Sequence, residues 1–144
     1  MGAFLYRDRA KQLIDFTNLS WGKIHPTDVD AIMEFDGKKL ILFEYKTKGK
    51  DADMGQKLLL ERMADNWKST RKDADAIVIY AEHEQYDPHN DIDGGEATVK
   101  EIYWNKQYIP FINRHSTVRQ LVWSFANEEI LGKLRKEECL QLKP

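Results

Sequence analysis

The sequence predicts an α/β domain with a mixed central sheet flanked by helices, in the order α-β-β-α-β-β-α. Three observations predict it. Two apolar runs, 28–35 and 39–47, flank the turn signal Asp36-Gly37. A stretch over 54–71 carries Leu60, Met63 and Trp67 at helical spacing. A short, wholly apolar run over 76–81 follows it, as expected of a strand buried on both faces.

The elements read in order as follows. Leu5, Leu13 and Phe16 recur at roughly helical intervals and predict a first helix over 3–16. Residues 17–27 read as a loop. The strands 28–35 and 39–47 are apolar on both alternations (Val29, Ile32, Met33, Phe35; Leu40, Ile41, Leu42, Phe43), which places them inside a covered sheet. Residues 48–54 are polar. The helix over 54–71 and the strand over 76–81 come next, then an acidic, glycine-containing loop over 82–96. Residues 98–104 and 107–111 alternate and flank Asn105-Lys106, which predicts a hairpin or a bent strand. Thr117 and Gln120 have the spacing of a capping box, so a final helix is expected from Thr117 to about Cys139, with room for a break.

The chain of 144 residues suits one domain over 1–144. Its 42% apolar and 32% charged residues suit a soluble globular protein, and no apolar run approaches the ~20 residues of a membrane span. The N-terminus lacks the apolar core of a signal peptide. Cys139 is the one cysteine, which excludes an internal disulfide and a multi-cysteine zinc site. A cytoplasmic location without membrane contact is expected. The net charge is −2, yet residues 38–72 sum to +5 and residues 73–101 to −8. A polyanion would therefore meet the middle of the chain, through Lys48, Lys50, Lys57 and Arg62, with the acidic loop directed away.

The chemistry is concentrated around Asp30, Glu44 and Lys46. Side chains alternate along a strand, so Glu44 and Lys46 share a face at the end of an apolar run. Asp30 lies at the far end of the preceding strand. A two-residue loop would pair Phe35 with Lys38 and turn Asp30 away from Glu44. A three-residue loop, Asp36-Gly37-Lys38, pairs Phe35 with Lys39 and sets Asp30 opposite Glu44. Two carboxylates that close repel unless a cation neutralises them, and oxygen donors favour Mg²⁺ or Mn²⁺. Lys46 could then position a water or offset transition-state charge. Asp28 is a rival to Asp30, but it falls at the strand's start.

Glu44-Tyr45-Lys46, fourteen positions after Asp30, resembles the signature of the PD-(D/E)XK nuclease superfamily, whose members include restriction endonucleases, Holliday-junction resolvases and phage-type exonucleases. The helix, hairpin, helix, strand order over residues 3–81 is similar to that restriction-endonuclease-like core. Val29 stands where the signature's name has Pro. The resemblance implies Mg²⁺ or Mn²⁺ bound by Asp30, Glu44 and the backbone carbonyl of Tyr45, with Lys46 contacting the attacking water. It implies a helix glutamine beside the site, here Gln56, although Leu60 stands where some branches have Tyr. It also implies an acid on the first helix, for which Asp8 is the candidate.

The expected activity is metal-dependent hydrolysis of phosphodiester bonds in DNA, by an endonuclease that could act as a homodimer. The alternative is a catalytically inactive nucleic-acid-binding or assembly module with the same fold. Trp21, Trp67, Trp104 and Trp123 are expected in the core. The 87–96 run is expected to be an exposed loop rather than a calcium site, because an EF-hand alignment on Gly94 puts His89 and Lys100 at ligand positions.

Overall fold

The computed structural model describes residues 11–110 and 116–129. The described chain runs β1 (Ala31–Phe35), β2 (Lys39–Thr47), α1 (Met54–Ser69), β3 (Asp75–His83), β4 (Thr98–Trp104), β5 (Gln107–Pro110) and α2 (Val118–Ala126). It is an α/β fold with one mixed five-stranded open sheet in the order β1-β2-β3-β4-β5. Only β2 and β3 are parallel; the other neighbours are antiparallel. That pairing follows from the connections. Short turns join β1 to β2 and β4 to β5, whereas β2 reaches β3 through α1, the crossover a parallel pair requires.

The first turn has three residues. Asp36 and Gly37 both take left-handed backbone (φ 51° and 72°), and the Lys38 N–H donates to the Phe35 carbonyl at 2.9 Å. The end of α1 fastens this turn. Trp67 Nε1 donates to the Lys38 carbonyl at 3.1 Å, and Arg71 donates to the Gly37 carbonyl. Phe35 therefore pairs with Lys39 and Ala31 with Phe43, the register of the longer loop. The β4–β5 turn places Asn105 and Lys106 at φ 52° and 62°, as a two-residue type I′ hairpin demands.

The alternation of β2 divides the core. Ile41 and Phe43 join Ile77, Ile79, Val99 and Ile102 on one face, covered by Val118, Leu121 and Phe125 of α2. Leu40 and Leu42 join Ala76, Val78 and Tyr103 on the other, covered by Leu60 and Ala64 of α1. The capping box of α2 is formed: Thr117 Oγ1 accepts from the Gln120 N–H at 3.2 Å, and the Gln120 side chain accepts from the Thr117 N–H at 3.0 Å.

Several expectations need correction. The order among the described residues is β-β-α-β-β-β-α, because 98–110 is a true hairpin of two strands. Residues 11–16 are not helical, and Leu13 and Ile14 are exposed. Apolar residues at helical spacing do not by themselves make a helix, since a short isolated helix is marginal in water. The rest of that expected helix, with Asp8, lies outside the described residues, as does the stretch from 130 to Cys139. β1 begins at Ala31 rather than 28, and its first four residues are exposed. Trp104 is buried and Trp67 packs against the α1-side core, but Trp21 and Trp123 are 83% and 65% exposed, not core. Among the described residues, no helix is long and apolar enough to cross a membrane.

Candidate active site

The even-numbered side chains of β2 face α1. Leu40 and Leu42 fill the core there, and Glu44 and Lys46 continue the same face toward the strand's end. Extending the register by one residue sets Asp30, just before β1, opposite Glu44. The contacts agree. One oxygen of Asp30, Oδ2, accepts a 2.8 Å hydrogen bond from the Tyr45 N–H, so the carboxylate is clipped to β2 just ahead of the first residue of β1. A strand residue's N–H and C=O leave by the same edge, so the Tyr45 carbonyl also faces the Asp30 side of β2.

Glu44 is 1% exposed. Its Oε1 lies 3.0 Å from Lys46 Nζ, and its Oε2 is buried with no hydrogen-bond partner among the described residues. Burial pushes the Glu44 carboxyl above the ordinary glutamate range. The Lys46 ammonium opposes that rise, and the nearby Asp30 carboxylate adds to it. The structure thus brings Asp30, Glu44 and Lys46 together as a cluster with one buried carboxylate oxygen unsatisfied.

The donor set fits a hard divalent cation. It offers two carboxylates and, on the same edge, a backbone carbonyl. Among the described residues, no group of three His, Cys, Asp or Glu side chains could hold a metal ion. Mg²⁺ does not need three, because it commonly takes one or two carboxylates and keeps several waters.

Gln56 lies in the first turn of α1 and is half-buried. Its Nε2 donates to the Asp28 carbonyl at 3.1 Å, so it holds the segment that carries Asp30. Asp28 itself is exposed, and its carbonyl takes up the Gln56 amide. The four basic residues differ. Lys48 Nζ pairs with Glu84 at 2.8 Å, so part of the acidic segment meets the basic one. Lys57 Nζ lies 3.5 Å from Glu101 and about 5 Å from the ring centres of Tyr80 and Tyr108. Lys50 and Arg62 are exposed, without a side-chain partner among the described residues.

A polar cluster beside the site was not foreseen. Tyr80 is the register neighbour of Glu44 on β3. Its hydroxyl donates to Glu61 Oε1 at 2.9 Å, and Tyr108 donates to the same oxygen at 2.5 Å. Burial first, and then the Glu61 carboxylate, raise both phenols, Tyr108 to about 12. Both therefore stay protonated and keep donating to Glu61, which is 8% exposed. The only trace in the sequence is an acid next to Leu60 in the helix stripe and a tyrosine within an apolar run.

A comparison with known protein families, with characterised proteins and with solved structures finds no match to this chain.

Proposed function

We propose that this protein is a metal-dependent nuclease of the PD-(D/E)XK kind, an endonuclease hydrolysing phosphodiester bonds in DNA. One observation carries the reading: a buried Glu44 oxygen without a partner, beside a second carboxylate and a lysine on one sheet face. A buried charge left this way is costly unless a cation completes it. The βαβ unit formed by β2, α1 and β3, preceded by an antiparallel β1, is also what a restriction-endonuclease-like core contains.

Asp30, Glu44 and the Tyr45 carbonyl would hold Mg²⁺ or Mn²⁺. The ion supplies Lewis acidity toward a phosphate oxygen and lowers the pKa of water. The chain's own residues do the rest. Glu44 fixes the Lys46 ammonium at 3.0 Å and so places a positive charge at the mouth of the site. Lys46, about one-third exposed, can turn that charge toward the attacking water and the phosphate oxygens as negative charge builds on them. Gln56 acts one step back, by holding the Asp28 carbonyl. Exposed Lys50 and Arg62 are the basic residues available to phosphates.

The test is cleavage of supercoiled, linear and single-stranded DNA, and of RNA, in Mg²⁺, in Mn²⁺ and in EDTA. Nicking or linearisation of the plasmid that requires the metal supports the endonuclease reading. DNA binding without cleavage under every metal condition favours the inactive binding module.

A further inference from the structure

Tyr45 touches both halves of the molecule. Its backbone N–H holds Asp30 Oδ2 at 2.8 Å, and its phenol donates to the Gly94 carbonyl at 3.0 Å. Its ring stacks nearly parallel on Phe43, with centres 6.2 Å apart. The fit at Gly94 is close: a methyl group there would meet the Tyr45 phenol oxygen at 3.0 Å. The segment around Gly94 is itself tied down. Asp93 Oδ1 accepts from the Gly95 and Glu96 N–H groups, the Gly95 carbonyl accepts from the Arg119 N–H at 2.9 Å, and Arg119 pairs with Glu96 at 2.7 Å. Burial, then Asp30, then Asp93 raise the phenol's pKa, so it remains a donor at neutral pH.

We infer that Tyr45 is a positioning residue whose phenol, anchored on the Gly94 carbonyl, holds the end of β2 so that its N–H keeps the Asp30 carboxylate beside Glu44. The start of α2 and the 93–97 segment thereby brace the candidate site from the opposite face of the sheet. The consequence for catalysis rests on the metal-site reading above; the bracing itself does not. It requires that loosening the phenol be felt at one amide, that of residue 45, which lies past the partner of β1's first residue and has the Asp30 side chain as its acceptor.

The experiment is amide hydrogen exchange by NMR, with Mn²⁺ affinity measured in parallel, on the full chain and on Tyr45→Phe, Gly94→Ala and Asp30→Ala. Asp30→Ala sets the full effect at amide 45. Tyr45→Phe keeps the ring but removes the anchor, and is expected to speed exchange at amide 45 by roughly two- to tenfold, the scale of one hydrogen bond. Amides of Ile41 and Phe43 should be unchanged, and Mn²⁺ affinity should fall by a similar factor. Gly94→Ala, which displaces the phenol while keeping Tyr45, should do the same. Unchanged exchange at amide 45 in both variants, or a rise shared equally along β2, overturns the inference. If amide 45 responds as expected but the wild type binds no Mn²⁺, the bracing stands and the metal-site reading fails.

Discussion

Lys46 Nζ lies 3.0 Å from Glu44 Oε1 while Glu44 Oε2, equally buried, has no partner among the described residues. The lysine answers half of the carboxylate and leaves the other half, next to Asp30, for something the chain does not supply. That half-satisfied group, the turn that sets its register and the polar cluster beside it each have measurable consequences.

The first concerns pH. In the unfolded chain Glu44 titrates in the ordinary glutamate range, while burial and then Asp30 raise it in the fold against the pull of Lys46. Between the ordinary and the raised value, the folded protein keeps a proton that the unfolded chain has released. Stability therefore falls as pH rises through that window, and the loss is complete above the folded value. Glu44→Gln cannot ionise, and its amide can donate to Asp30 while its oxygen still accepts from Lys46. In EDTA at neutral pH it should be more stable than wild type by roughly 1–2 kcal/mol, with the gap closing toward acid pH. Urea unfolding across pH measures this, and a Glu44→Gln protein no more stable than wild type at neutral pH contradicts it.

The second concerns the turn that sets the register. Gly37 has φ 72°, and an added methyl group would find its nearest neighbours 3.9 Å away. The penalty for Gly37→Ala is then conformational, about 1 kcal/mol. Thermal or urea unfolding should show that loss with the fold intact. A neutral substitution would mean that the turn relaxes to another form, and would count against the register that sets Asp30 opposite Glu44.

The third concerns the cluster beside the site. Tyr80→Phe and Tyr108→Phe each remove one of two donors to the same buried Glu61 oxygen. Each should destabilise by about 1 kcal/mol, since the other donor remains. The double variant leaves both donors missing and should lose more than the sum. A double-mutant cycle by urea unfolding reads the coupling; strict additivity would mean that the two hydroxyls do not share the carboxylate.

The fourth concerns nucleic acid. Without metal, Asp30→Asn and Glu44→Gln should bind DNA as well as wild type or better, because each removes repulsion toward phosphate. Binding should weaken steeply with salt. Fluorescence anisotropy over a salt series measures both. Affinity indifferent to salt would count against phosphate contacts by Lys50 and Arg62.

The site was more legible in the sequence than its surroundings, for physical reasons. Alternation put Glu44 and Lys46 on one face, and the need to bring Asp30 opposite Glu44 selected the three-residue turn, whose glycine is the residue that tolerates left-handed backbone. The capping box of α2 is a local interaction and was equally readable. Long-range contacts were not. Lys57 looked like a surface cation, but Glu101 and two tyrosine rings hold it against the sheet. Lys48 looked free until the fold brought Glu84, 36 positions away, alongside it. Trp21 and Trp123 were expected in the core because they are large and apolar, yet both are mostly exposed. The helical pattern read over 3–16 is not realised in its described part, residues 11–16, where Leu13 and Ile14 are exposed.

The most direct measurement is a calorimetric titration of Mn²⁺ into wild type, Asp30→Asn, Glu44→Gln and Lys46→Ala, each also assayed for plasmid cleavage. The two carboxylate variants lose ligand charge, so their metal affinity and their cleavage should both drop, with partial rescue at high Mn²⁺. Lys46→Ala keeps both carboxylates and should bind the ion while failing to cut, and Asp30→Asn/Lys46→Ala should be scarcely less active than either single variant, as expected of groups that act together. Metal binding in wild type that disappears with Glu44→Gln and persists with Lys46→Ala is the result this account expects. Wild type that binds no divalent cation, or variants that all cut DNA as wild type does, would contradict it.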